Sequence, residues 1–381
     1  MLHLYLKLKR HMSFFTSEYP NFKEKYISGR YITHEHITPL LNQLKGVFEV
    51  TEVGKSVEGS PIECVHFGKG KHKILMWSQM HGNESTTTKA VFDFLKFMDS
   101  GNQLASKILE SCSIRIIPML NPDGALAYTR SNTNEIDLNR DAQKLSQPES
   151  KVLRNVYNRF QPDFCFNLHD QRTMYNVGDS AQPATVSFLA PAMDAQRSIP
   201  TTRGKSMRLI VAMNRRLQQL IPNQIGRYDD GFNSNCVGDT FQMLGTPTVL
   251  FEAGHFPNDY ERERTRECIF IALTSALEVI ADDSLMDYGE AEYFEIPENG
   301  KRFFDVLIQN ANHLNAAYDP GVSLGIRFDE SLVKDTIQFE SKLDSVFGSD
   351  YFLGHQTFDC ADPESFRKLQ KDLHLMRLLG S

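Results

Sequence analysis

The chain has 381 residues, 41% hydrophobic and 23% charged, with Lys+Arg 41 against Asp+Glu 48 and a net charge of −7. That length allows one large domain plus a smaller one, and the composition is ordinary for a globular protein. The mildly acidic balance argues against nucleic-acid binding and against attraction to an anionic membrane, and no run approaches the roughly 18 apolar residues of a membrane span.

Six cysteines (Cys64, Cys112, Cys165, Cys236, Cys268, Cys360) lie far apart without a C-x-x-C pair, so no disulfide framework is expected. Residues 1–15 are leucine-bearing but broken by Lys7, Lys9 and Arg10, short of a signal peptide's apolar core. Met12 is a second candidate start, and a reducing, cytoplasmic setting is the expectation.

A helix opens at Thr33, with Ile37, Leu40, Leu41 and Leu44 as its apolar stripe. His34 and His36 fall in its first turn and read as solvent-facing rather than metal-binding. Residues 50–67 form two short strands around Gly54, Gly59 and Pro61. Residues 73–79 form a mostly buried strand that delivers Met80-His81-Gly82-Asn83-Glu84, and a helical pattern (Ala90, Val91, Phe94, Leu95, Met98) follows from Ser85. Residues 113–120 are the next strand, closed by a turn at Asn121-Pro122-Asp123-Gly124. A helix at 149–160, a strand at 163–168 ending at His169, a strand at 185–189 and a helix at 204–221 continue the alternation. Residues 246–251 form a last buried strand ending at Glu252, and a helix from about Asp259 to Ile280 closes this part. Within it, Tyr260-Glu261-Arg262-Glu263-Arg264-Thr265-Arg266 alternates in sign and reads as a solvated face.

Strands alternating with helices predict an α/β layered domain with a largely parallel sheet. His81, His169 and Glu252 each sit at or just past a strand's C-terminal end, where such sheets place their ligands. Residues 285–381 are acidic, with a turn at Asp319-Pro320-Gly321, a strand at 323–328 and an ambiguous stretch at 305–309. They read as a small α+β or β-rich appendage carrying none of the motif residues. The expected division is therefore 1–284 and 285–381.

A histidine and a carboxylate three positions apart, between strand and helix, can hold two sides of one metal ion. His81, Glu84 and His169 supply a His₂Glu set of the kind that binds one catalytic zinc ion per chain. Asp137 is a candidate acceptor for the free ring nitrogen of a metal-bound histidine. Arg130 and Arg140, with Asn139, offer planar donors suited to a carboxylate or an oxyanion. Glu252 is placed to take a proton from water and pass it to a leaving amine. No G-x-S-x-G elbow and no phosphate-cradling loop appears, and Cys165, sharing a strand face with Asn167 and His169, reads as packing.

H-x-x-E, N-P-D-G, an intervening arginine, D-x-N-R, a lone histidine and a later glutamate, in this order, resemble the zinc metallocarboxypeptidase family. The likeness runs from about Thr33 to Ile280 and takes in Gly54-Lys55-Ser56-Val57-Glu58-Gly59-Ser60-Pro61-Ile62. It implies a three-layer α/β/α fold with a mixed, mostly parallel eight-stranded sheet. It also implies zinc on His81, Glu84 and His169, Asp137 orienting His81, Glu252 as general acid/base and Arg130 polarising the carbonyl. Asn139 and Arg140 would hold a terminal carboxylate, and Tyr228, 24 positions before Glu252, is the candidate for the digestive enzymes' active-site tyrosine. The compact Arg130–Asp137 spacing and the D-L-N-R word look bacterial and are similar to the murein-peptide amidase branch. H-G-N-E and D-L-N-R are also similar to the aspartoacylase and succinylglutamate desuccinylase branch. The expectation is zinc-dependent hydrolysis of an amide bond beside a free carboxylate, as a carboxypeptidase acting on peptides. The alternatives are an N-acyl amino acid or murein-peptide amidohydrolase, or a silent binding protein, against which the intact Glu252 argues. Nothing in the sequence sets the oligomeric state.

Overall fold

The computed structural model describes residues 17–348 and 351–380. The N-terminal stretch 1–15 and Met12 lie outside the described residues. The strands in chain order are β1 (Glu49–Lys55), β2 (Pro61–Phe67), β3 (His72–Ser78), β4 (Cys112–Ile117), β5 (Phe164–Asp170), β6 (Asn176–Val177) and β7 (Val186–Leu189). Then come β8 (Ile225–Arg227), β9 (Thr248–Ala253), β10 (Asn299–Gly300), β11 (Phe303–Gln309), β12 (Ser323–Val333), β13 (Thr336–Phe347) and β14 (Leu353–Asp359).

Eight of them form one mixed sheet in the order β1-β2-β4-β3-β5-β9-β7-β8. The central β4-β3-β5-β9 block is parallel, and β1, β2 and β7 bring the antiparallel pairings. Period-two alternation sorts its side chains into two cores. Ile74 and Met76 face one layer with the helices Thr86–Met98, Thr201–Leu217 and Glu263–Ala281. Leu75, Trp77 and Cys165 face the other, against Val152, Val156 and Phe160 of the helix Pro148–Phe160. This is the expected α/β/α sandwich. On β5 the even positions Phe164, Phe166 and Leu168 fill the first core, so Asn167 and His169 point to the opposite face.

The second sheet has four strands in the order β13-β12-β11-β14, and 305–309 is resolved as part of the strand β11. Val306, Ile308, Leu324 and Ile326 pack against Leu369 and Leu375 of the two C-terminal helices. Residues 285–300, placed with the appendage by sequence, pack on the large domain instead. Tyr293 and Ile296 join its core, β10 pairs with β6, and the Tyr293 hydroxyl binds the Ala190 N–H at 3.2 Å.

Several local readings change. Asn121-Pro122-Asp123-Gly124 begins a helix, Pro122–Ala127, because Asn121 Oδ1 accepts the Gly124 N–H at 2.9 Å and proline fits the first turn. His34 and His36 are half-buried and partnered: His34 meets Glu63 at 3.0 Å, and the His36 ring accepts the Thr33 N–H at 3.1 Å. The last long helix starts at Glu263, with Asp259 accepting the N–H groups of Glu263 and Arg264. Its face is not solvated. Arg266 is fully buried and forks onto the fully buried Asp93 at 2.6 and 2.7 Å, and Arg262 is 1% exposed. Sign alternation mimics a wet face, and only the partner on a distant helix shows otherwise. Removing either partner of Asp93–Arg266 leaves a buried charge, at a cost of about 3–5 kcal/mol.

Candidate active site

The two glycine-bearing motifs meet before the chemistry begins. A Cβ on Gly82 would lie 1.9 Å from the backbone carbon of Gly124, so H-G-N-E packs this closely on N-P-D-G only with glycine at position 82. Asn83 N–H adds a 3.2 Å bond to Thr129 O. The loop between β3 and the helix Thr86–Met98 is thereby fixed, with His81 and Glu84 on it.

His169 arrives on β5, and the three side chains converge. Glu84 Oε1 lies 2.9 Å from His81 Nδ1, Glu84 Oε2 lies 2.8 Å from His169 Nδ1, and the two Nδ1 atoms are 3.1 Å apart. All three residues are buried. Asp137 Oδ1 sits 2.9 Å from His81 Nε2, which fixes Nε2 as the protonated nitrogen and leaves Nδ1 with its lone pair toward the cluster. Acceptors gathered so closely need a cation among them. A tetrahedral zinc ion with bonds of about 2.0–2.1 Å holds its ligand atoms roughly 3.3 Å apart, close to this spacing. The residues therefore fit the metal. His169 Nε2, unlike its counterpart on His81, has no hydrogen-bond partner.

Electrostatics follow the cluster. Burial raises the Glu84 pKa, but the two histidines outweigh it and hold the carboxyl well below its usual range. Burial lowers His81, and Glu84 and Asp137 more than reverse that, whereas burial dominates at His169 and lowers it. Asp137 is driven down against its burial by His81 and Arg130. Glu252 moves the other way: burial, then the charges of Glu84 and Asp170, push it well above the usual carboxylate range.

These groups line a cavity of about 390 Å³. Glu252 lies within β9 rather than beyond it, opposite His169 in the register. Arg130 is half-exposed, and its guanidinium is engaged by Glu84 Oε1 and Asp137 Oδ2, each at 3.1 Å. Asn139 Oδ1 accepts the Val237 N–H at 3.2 Å, so its NH₂ end is the one left for a ligand. Arg140 is exposed, anchored to Asn139 O at 2.9 Å and to Cys236 Sγ at 3.7 Å. Tyr228 lines the same cavity, its hydroxyl 2.8 Å from that of Tyr175, and burial raises its pKa first and Glu252 second. Thus the cavity gathers all of His81, Glu84, Arg130, Asn139, Arg140, His169, Tyr228 and Glu252, with Asp137 just behind.

Residues 34–215 match the family model described as zinc carboxypeptidase. The matched segment makes up just under half of the chain. It contains His81, Glu84 and His169 together with Arg130, Asp137, Asn139 and Arg140, and ends before Tyr228 and Glu252. A probable carboxypeptidase 2 of Arthroderma benhamiae is 30% identical over 101 residues, covering 26% of this chain and 19% of that protein. Carboxypeptidase E of Caenorhabditis elegans is 34% identical over 113 residues, 24% of each chain. The chain thus spans only about a fifth to a quarter of these relatives' length. A metallo-carboxypeptidase structure from Burkholderia cenocepacia superposes with a TM-score of 0.55 at 19% identity, over 66% of this chain and 70% of that one. That likeness is one of fold.

Sequence reasoning missed one end of the cavity. Arg30, Asp170, Arg172, Arg262 and Glu330 line it as well, with Asp239 near Arg140. Asp170 directly follows His169 in the sequence, and Glu330 lies in the appendage expected to carry nothing of the site. Burial pushes Asp239 up to about 6. No spacing signal links residues 30, 262 and 330.

Proposed function

We propose that the protein is a zinc-dependent carboxypeptidase that removes the C-terminal residue of a peptide. The observation that carries this is the convergence of both Nδ1 atoms and the Glu84 carboxylate beside Glu252 in one cavity. Zinc held by His81, Glu84 and His169 would polarise the scissile carbonyl and acidify the attacking water.

The chain's own groups do the rest. Glu252 accepts the water's proton and hands it to the leaving amine. Asn139 and Arg140 hold the substrate's terminal carboxylate through charge-assisted hydrogen bonds. Arg130 turns from Glu84 and Asp137 toward the carbonyl oxygen as charge develops there. Tyr228 lines the cavity that takes the bound residue.

Steady-state kinetics on matched peptides ending in a free acid or an amide test this. The acid should be cut at least tenfold better. Equal cleavage would sink the carboxypeptidase, and turnover of acyl-amino acids without turnover of peptides would favour an amidohydrolase.

A further inference from the structure

The geometry points to a closed acyl-side subsite: Glu330 of β12, clamped to Arg30 and Tyr128, ends the cleft and confines substrates to dipeptide or tripeptide size. This deepens the proposed carboxypeptidase reading and rests on it.

Two chains of contacts lead away from the metal triad. From His81 one runs through Asp137 to Asn139, Arg140 and Cys236, the carboxylate end. From Glu84 the other runs through Ser85, whose hydroxyl donates to Arg30 O at 2.6 Å, and through Asp170, whose N–H donates to Glu84 Oε2 at 3.1 Å. A substrate with its carboxylate at the first end carries its acyl side toward the second. There Arg30 Nη2 meets both Glu330 oxygens at 2.9 and 3.1 Å, and the Tyr128 hydroxyl donates to Glu330 Oε2 at 2.6 Å. The Arg30 and Glu330 side chains are only 4% and 15% exposed.

This wall is fixed rather than a lid. Arg30 Nη1 also donates to Tyr260 O at 3.1 Å, and the Tyr260 ring lies 5.3 Å from both Phe328 and Phe339 of the second sheet. Its hydroxyl donates to Asp305 at 2.9 Å. The loop leaving His169 is held too, by Phe303 N–H to Met174 O at 3.1 Å and by His355 to Thr173 O at 2.8 Å. A longer peptide would have to break a forked, largely buried ion pair to pass. The cavity's roughly 390 Å³ lies near the low end of the about 300–1,000 Å³ usual for small-ligand sites. At this closed end Asp170 Oδ1 is buried without a hydrogen-bond partner, and it is available to accept an N–H from a short acyl group.

The test is kcat/KM for di- to pentapeptides sharing one C-terminal residue, on the full chain. Wild type should lose at least tenfold between tripeptide and pentapeptide. Arg30→Ser/Glu330→Ser, which removes both charges together so that neither is stranded, should raise the pentapeptide-to-dipeptide ratio at least tenfold. Wild-type cleavage of pentapeptides as fast as dipeptides overturns the proposal. So does an unchanged ratio in a double variant with wild-type circular dichroism and metal content. Calorimetric binding of the same series to Glu252→Gln separates the two readings. Length-dependent affinity without wild-type turnover keeps the wall and removes the carboxypeptidase, whereas length-independent affinity removes the wall.

Discussion

At the metal end of the cleft the side chains leave the large sheet's strand ends or the loops near them, within one domain. At the Arg30 end the groups come from residues 30, 128, 262 and 330, and the last belongs to the second sheet. The first end is therefore a property of one folded domain, and its chemistry should respond to single substitutions without loss of fold. The second is a property of an interface, and it should respond to whatever loosens the contact between the sheets.

The largest effect should fall at the metal end. His169→Ala should lower bound zinc from one equivalent to near none and abolish turnover, while circular dichroism stays that of wild type. A variant that keeps its zinc would show that the ion sits elsewhere. Next, Glu252→Gln should keep zinc and fold yet lose about 10²–10⁴-fold in kcat, since the amide cannot accept the proton. Near-normal kcat would make Glu252 structural.

Arg140→Ala should then cost about 10–100-fold in kcat/KM on acid substrates through KM, the size of one charge-assisted hydrogen bond, and erase the preference for acid over amide. Arg130→Ala should act mainly on kcat. An acid preference that survives Arg140→Ala would move the clamp to another residue.

The smallest effect sharpens the contrast between the two ends. His255 is 2% exposed with both ring nitrogens unpartnered, and its ring centroid lies 4.2 Å from that of His355 on β14. Burial first, then His355, Arg262 and Arg30, push its pKa down to about 2. An unfolded histidine titrates near 6.5. Below about 6.5 the unfolded chain binds a proton that the folded chain refuses, so stability falls as pH drops through that window toward 2. Melting between pH 7 and 4.5 should show a decline of several degrees, and His255→Phe should shrink it. An unaltered slope in that variant would place the acid sensitivity elsewhere.

Legibility in the sequence divides along the same line. That His81, His169 and Glu252 meet in one cavity was readable because each stands at or next to a strand end, whereas Asp137, Asn139 and Arg140 were readable only from the D-L-N-R word, which forms the short helix Leu138–Arg140. The sandwich was readable from long buried strands and apolar-striped helices. Helix Pro122–Ala127 was read as a turn because N-P-D-G serves both uses, and only its contact with Gly82 and the Asn121 cap decides. Arg262 and Arg266 looked solvated because a buried arginine's partner can lie far away, here Asp93 and the carbonyls of Gln171 and Ala253. Arg30 and Glu330, 300 positions apart, form a pair that no local pattern encodes.

One last feature concerns how copies of this chain behave toward each other. Among the described residues β13 is one of the two edge strands of the second sheet, twelve residues long, with Leu343 38% and Val346 52% exposed. An outer strand offers backbone donors and acceptors to any passing strand, and length with apolar exposure makes it a template for edge-to-edge growth. Glu340, Lys342 and Asp344 interrupt this rim, with Lys342 3.4 Å from Asp329 and Asp344 3.5 Å from Arg327. Charges so placed act as gatekeepers: they penalise the desolvation that a second strand would impose. The colloidal behaviour of the protein at high concentration thus rests on three side chains remote from the cleft, and neutralising them would leave catalysis in place while shortening the time before the solution clouds.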